Sequence, residues 1–117
     1  MKPNNKIDYI EVPAKNIEAT KNFFKSLFGW SFTDYGPDYT SFNDGRITGG
    51  FFKSDQTFSI EKGCALLVFY QNNLISTMQK VTSLGGIITK DIYAFPGGKR
   101  FHFLDVSGNE YAIWSEK

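Results

Sequence analysis

The sequence predicts an α+β fold: two tandem βαβββ modules forming a curved mixed sheet with helices on its convex face. Three observations carry this expectation. The two halves align without a gap at an offset of 57 residues, so that Asn16-Ile17, Thr20, Ser26-Leu27 and Gly29 match Asn73-Leu74, Thr77, Ser83-Leu84 and Gly86. In each half an apolar run (Ile7–Val12, Cys64–Phe69) precedes a helix-like stretch that ends at glycine. Short strand-like segments separated by turn signals then follow. Two copies are too few for a solenoid. They suit a duplicated module whose halves pack together and enclose a cavity, and that cavity is the expected seat of function.

Each element has a local reason. Ile7–Val12 alternates, with Ile10 and Val12 on one face and Tyr9 and Glu11 on the other, and Pro13 is expected to stop the strand. Asn16 caps a helix whose Phe23, Phe24, Leu27 and Phe28 recur at three- and four-residue spacing, and Gly29 ends it. Strands are expected at Trp30–Asp34, Tyr39–Asn43 and Arg46–Lys53, with a hairpin turn at Asn43-Asp44-Gly45. The second module repeats the order. Cys64–Tyr70 is a strand, Asn73 caps a helix carrying Leu74, Met78, Val81 and Leu84, and Gly85-Gly86 ends it. Strands follow at Ile87–Asp91, Lys99–Asp105 and Glu110–Ser115. Phe95-Pro96-Gly97-Gly98 reads as a mobile loop near the cleft mouth. The chain is thus read as one domain, with module 1 at about 5–53, a polar linker at 54–63 and module 2 at about 64–117.

Turn geometry orients the last hairpin. If Val106-Ser107-Gly108 is a type I turn closed by a glycine bulge, Asp105 pairs with Asn109. Phe101 and Phe103 then share a core face with Tyr111 and Ile113, while Arg100 and His102 lie opposite with Ala112 and Trp114. The same logic at Asn43-Asp44-Gly45 sets Tyr39 opposite Gly49. Asp105 is expected to bond nearby amides as a turn residue.

Composition excludes several functions. At 117 residues with a formal net charge of +1, nothing draws the chain to nucleic acid or an anionic membrane. No run is long enough for a transmembrane helix. The opening Met1-Lys2-Pro3-Asn4-Asn5-Lys6 carries no apolar signal segment, and one cysteine, Cys64, allows no intramolecular disulfide. A cytoplasmic protein is expected. There is no nucleophile elbow and no phosphate loop. Twelve Phe, six Tyr and two Trp are many for one small core: either some line a cleft or a subunit interface, or the strands of a β-rich domain simply favour aromatics.

The duplicated modules, the helix end Phe23-Phe24-Lys25-Ser26-Leu27-Phe28-Gly29-Trp30 and the turn Asp105-Val106-Ser107-Gly108-Asn109 resemble the vicinal oxygen chelate superfamily. That group holds glyoxalase I, extradiol dioxygenases, fosfomycin resistance proteins and bleomycin resistance proteins. The resemblance is strongest to its glyoxalase-like branch and covers nearly the whole chain. It implies the glyoxalase/bleomycin resistance/dioxygenase fold, a small-molecule ligand and a homodimer. The metal slots of metal-dependent relatives carry over to about Ile7, Gly49, Cys64 and Ala112. Three of these offer no side-chain donor, and one cysteine does not hold a divalent ion. No metal cofactor is therefore expected. Glu11, Glu110 and His102 are the other donors considered.

The resemblance also puts His102, three residues before the turn aspartate, at a ligand-facing position. Its rival role is a histidine hydrogen-bonded between strands. Glu11 either pairs with Arg100 or His102 or acts on a ligand. Tyr9 and Tyr39 are candidate hydrogen-bond donors, Phe51 and Trp114 candidate stacking platforms, and Arg100 a candidate anion contact. The expected function is binding of a small, partly aromatic molecule without a metal. The alternative is a lyase or isomerase related to lactoylglutathione lyase, with His102 or Glu11 as general base and Tyr9 or Tyr39 polarising an oxygen. A protein-interaction module with a filled cleft is the third.

Overall fold

A computed structural model describes residues 2–117; Met1, part of the polar opening stretch, lies outside the described residues. The chain runs β1 (Tyr9–Ala14), α1 (Ile17–Phe28), β2 (Ser31–Asp34), β3 (Tyr39–Asn43), β4 (Thr48–Lys53), then β5 (Leu67–Tyr70), α2 (Leu74–Ser83), β6 (Ile87–Phe95), β7 (Gly98–Leu104) and β8 (Glu110–Ser115). Hydrogen bonding gives two four-stranded mixed sheets, ordered β1-β4-β3-β2 and β5-β8-β7-β6. In each, the first strand runs parallel to the fourth and the other neighbours are antiparallel. The α+β class and the βαβββ order of both modules follow the expectation.

In module 1 the Asn16 side chain accepts from the Ala19 N–H at 2.9 Å, which satisfies one orphan donor of α1. Gly29 closes the helix at φ 74°, its N–H on the Lys25 carbonyl. The inward face of α1 sets Phe24 against Trp30 (centroids 4.8 Å) and Phe51 (5.5 Å), and Trp30 against Phe42 (4.7 Å). Each fully buried ring is worth roughly 1.5–3 kcal/mol in area removed from water. β1 does not stop at Pro13 but continues to Ala14. It is an edge strand, where a residue without an N–H is tolerated.

In module 2 Asn73 caps α2 through the Ser76 N–H, and Leu74, Thr77 and Val81 face inward. Beneath them lie Phe101, Phe103, Tyr111 and Ile113, all fully buried. The Asp105 N–H donates to the Asn109 carbonyl at 2.9 Å, so the bulged hairpin has the expected register. The Asp105 carboxylate accepts from the Ser107 and Asn109 amides and from the Tyr111 hydroxyl. Burial nonetheless raises its carboxyl above the usual range, outweighing these bonds.

Three expectations need correction. The segment after Asp55 belongs with module 2: Phe58 N–H donates to Asn109 Oδ1 at 3.0 Å, and Glu110 N–H donates to the Phe58 carbonyl at 3.0 Å. The Phe58 backbone thus ties to the last hairpin a stretch that was expected to be a polar linker between the modules. Phe95-Pro96-Gly97-Gly98 is a tight hairpin, with Phe95 paired to Gly98 and Gly97 at φ 112°, which extends β6 well past Asp91. In the first module Tyr39 pairs with Phe52, and Gly49 pairs with Phe42.

Candidate functional site

The helix-free face of module 2 collects its polar chemistry. Alternation along β7 sends Phe101 and Phe103 to the core and Arg100 and His102 to the other side, with His102 opposite Ala112 and Arg100 opposite Trp114. β6 carries register shifts between Ile88 and Lys90 and between Lys90 and Tyr93. Such bulges re-aim side chains, and here the Tyr93 hydroxyl reaches His102 Nε2 at 2.9 Å. His102 Nδ1 lies 2.9 Å from Glu110 Oε2. The second Glu110 oxygen accepts from the Ile60 N–H at 2.9 Å.

Donor accounting fixes a direction. With Glu110 ionised, we assign the His102 proton to Nδ1, so Nε2 accepts from the Tyr93 O–H. The Tyr93 oxygen in turn accepts from Arg100 Nε–H. The chain therefore runs Arg100 to Tyr93 to His102 to Glu110. Burial pushes the Glu110 carboxyl up, but the bonds from His102 and Ile60 outweigh it and hold it below the usual range. His102 is only 5% exposed with both nitrogens engaged. Tyr93 and Arg100 are the half-buried members of the chain. Lys90 Nζ stands 4.5 Å from the Tyr93 ring centroid, a second cation beside that phenol.

Beside this chain, Val68, Phe95, Pro96, Gly97, Arg100 and Trp114 line a pocket of about 310 Å³. The Phe95 ring packs edge-on to Trp114 (centroids 6.1 Å), and the Arg100 guanidinium lies 5.5 Å from the Phe95 centroid. The tight Pro96-Gly97 turn sets one wall.

Module 1 carries a different cluster on its helix-free face. Tyr9 and Tyr39 hydroxyls are 2.5 Å apart, and Tyr39 donates to Glu11 Oε2 at 2.9 Å. Because that proton is committed to Glu11, Tyr9 is the donor to Tyr39. Burial, then the bonds with Tyr9 and Glu11, raise the Tyr39 phenol above its usual value of 10.0. A Cβ on Gly50 would stand 1.9 Å from the Tyr39 hydroxyl, so glycine is what admits the ring tip there.

Of the residues predicted for a site, Arg100 and Trp114 share the pocket, and Tyr9, Tyr39 and Glu11 share one hydrogen-bonded cluster. The recorded partner of Glu11 is Tyr39, and the carboxylate that meets His102 is Glu110. Phe51 does not belong with them. It is 1% exposed and packed under α1 on Phe24 and Phe42, because Gly50, one residue earlier, holds the other face. Cys64 is half-buried and not sealed in the core. Sequence reasoning missed Tyr93, whose facing depends on bulges that no alternation rule shows. It weighed Glu110 only as a metal donor, although sharing a face with His102 across the expected hairpin was a usable signal.

The side chains do not suit a divalent cation. Midway along the last strand of each module, paired with Glu11 and Val68, stand Gly50 and Ala112, neither with a side-chain donor. Among the described residues no three His, Cys, Asp or Glu side chains converge. Nor, among them, is any helix long and apolar enough to cross a membrane.

Comparison with solved structures finds the same fold widely. A glyoxalase/bleomycin resistance protein/dioxygenase family enzyme from Burkholderia phytofirmans superposes at TM-score 0.80 with 18% identity, covering 95% of this chain and 100% of that one. Lactoylglutathione lyase from Agrobacterium tumefaciens gives TM-score 0.70 and 16% identity over 97% and 96% of the chains. A fosfomycin resistance protein from Listeria monocytogenes, solved with Mn(II) and a dihydroxypropylphosphonic acid, gives 0.79 and 13% over 95% and 90%. At these identities the likeness is one of fold. No curated protein matches the sequence. A family model does match, over residues 6–113, and with it the chain belongs to the Glyoxalase/Bleomycin resistance protein/Dioxygenase superfamily.

Proposed function

We propose that this protein is a metal-independent, glyoxalase-like binder of a small organic molecule. The observation that carries the reading is the pocket of about 310 Å³ on module 2, with apolar walls and one cationic side chain. That volume lies at the small end of ligand cavities, roughly 300–1,000 Å³. Gly49 and Ala112, the last-strand slots that the resemblance to metal-dependent relatives implies, carry no donor, and neither does the neighbouring Gly50, which supports independence from metal. The single cysteine supports a cytoplasmic location, and the aromatic surplus supports a homodimer. Calorimetry with zinc, nickel, manganese and iron(II) is expected to give no stoichiometric heat, while thermal-shift screening finds small organic ligands recovered unchanged. One micromolar metal site would end the metal-free reading.

A second reading is favoured by the Tyr93–His102–Glu110 chain. Here the protein is a lyase or isomerase in which the His102–Glu110 pair acts as base through the Tyr93 hydroxyl, next to a substrate carbonyl. Glu11, bonded to Tyr39, is the weaker candidate base. Turnover of a screened ligand that is lost in His102→Ala, with the circular dichroism spectrum retained, would favour this reading over simple binding.

A further inference from the structure

We infer that the module 2 pocket takes a small aromatic carboxylate, held end-on by Arg100. This rests on the reading of that pocket as a ligand site and names the class of ligand. A guanidinium carries N–H donors on three nitrogens in a fixed plane. In Arg100 the Nε–H is spent on the Tyr93 oxygen, which fixes the plane of the fork. Among the described residues no carboxylate forms a salt bridge with it, and its guanidinium lies against the rings of Tyr93 and Phe95. The terminal Nη–H groups therefore lack a protein acceptor while lining a pocket whose other walls are Val68, Phe95, Pro96, Gly97 and Trp114. Partly desolvated donors in such surroundings favour an anion over a neutral acceptor.

Shape narrows the class further. Two Nη–H groups side by side match the two oxygens of a carboxylate. Phe95 and Trp114, edge to face, offer ring surfaces for a flat body behind that group. Space for one ring plus a short acid fits the volume; a long molecule does not. The nearby His102 and Glu110 are bonded to each other and to Tyr93 and Ile60, so neither pairs with the Arg100 fork.

The test uses the whole chain and nuclear magnetic resonance, titrating benzoate and phenylacetate against benzamide and phenylacetamide. The acids are expected to shift both the Trp114 indole N–H and the Arg100 Nε–H signals and to bind at least about tenfold tighter than the amides. Arg100→Met should weaken the acids about tenfold to a hundredfold and leave the amides nearly unchanged, with Arg100→Lys in between. Amides that bind as tightly as acids, moving Trp114 but not Arg100, would overturn the anion assignment and leave the pocket standing. No binding by any of the four at millimolar concentration would overturn both. Should Arg100→Met fail to fold, the acid–amide ratio in the unaltered chain still decides.

Discussion

Ser41 and His102 occupy equivalent places in the two modules, each paired with a small residue of the last strand, Gly50 or Ala112. By the same register Tyr39 corresponds to Arg100 and Glu11 to Val68. The core sides of the sheets have kept one character, aromatic and buried in both. The helix-free sides have diverged. Module 1 closes its side over Gly50 with neutral phenols and one carboxylate; module 2 opens a pocket flanked by a cation and a histidine–carboxylate pair. Duplication preserved what folding needs and left the opposite face of each sheet to vary, which is where different ligands or none can be accommodated.

The comparison can be broken at its most crowded point first. Gly49 and Tyr111 are equivalent core positions, and Phe42 lies over the glycine where Phe103 stacks on Tyr111 at 5.4 Å. A Cβ on Gly49 would meet the Ile10 carbonyl and the Phe42 ring at 2.4 Å, one of them backbone. Gly49→Ala is expected to cost about 2–3 kcal/mol in chemical denaturation. A neutral result would show that the glycine is not what seats Phe42.

Next comes Glu110→Gln, which weakens the bond to His102 and is expected to cost about 1–2 kcal/mol. Its pH signature separates the modules. The folded Glu110 carboxyl titrates below its ordinary 4.5, so its contribution is complete above that value and fades as pH falls through the depressed folded value. The variant should lose less stability than the parent on acidification through that window. Asp105, raised by burial, has the opposite sign, so only the difference between variant and parent isolates Glu110. An unchanged difference across the window would mean that the pair does not stabilise the fold.

The smallest effect is expected from Tyr39→Phe, about 1 kcal/mol or less, because Glu11 keeps access to water. Its sharper readout is alkaline absorbance titration. Tyr39 resists ionisation, so the variant should lose one late-titrating phenol. Retention of every late phenol would place that resistance elsewhere.

Much of the fold was legible because its signals are local. Asn16, Gly29, Asn73 and the Asp105 turn are decided by neighbours a few residues away. The 57-residue repeat was legible for the helices but misleading beyond them. The bulged, lengthened β6 stretches the offset to 61 residues at Ser41 and His102, so the ungapped alignment could not match later strands. Glycine pairs hid a parity choice: Gly49 and Gly50 leave no side-chain pattern to say which faces the core, and Phe51 was assigned to the wrong side as a result. Tyr93 was illegible for a related reason, since bulges cancel the two-residue period on which facing is read.

One carboxylate in module 2 has two masters. Glu110 grips the imidazole with one oxygen and the Ile60 amide with the other, so events at the ring are wired into the peptide chain leading toward β5. Anything that pulls His102 away, or protonates the acid, should loosen that backbone strap as well. The exchange rate of a single amide hydrogen, that of Ile60, thus becomes a remote gauge of whether the imidazole is at home.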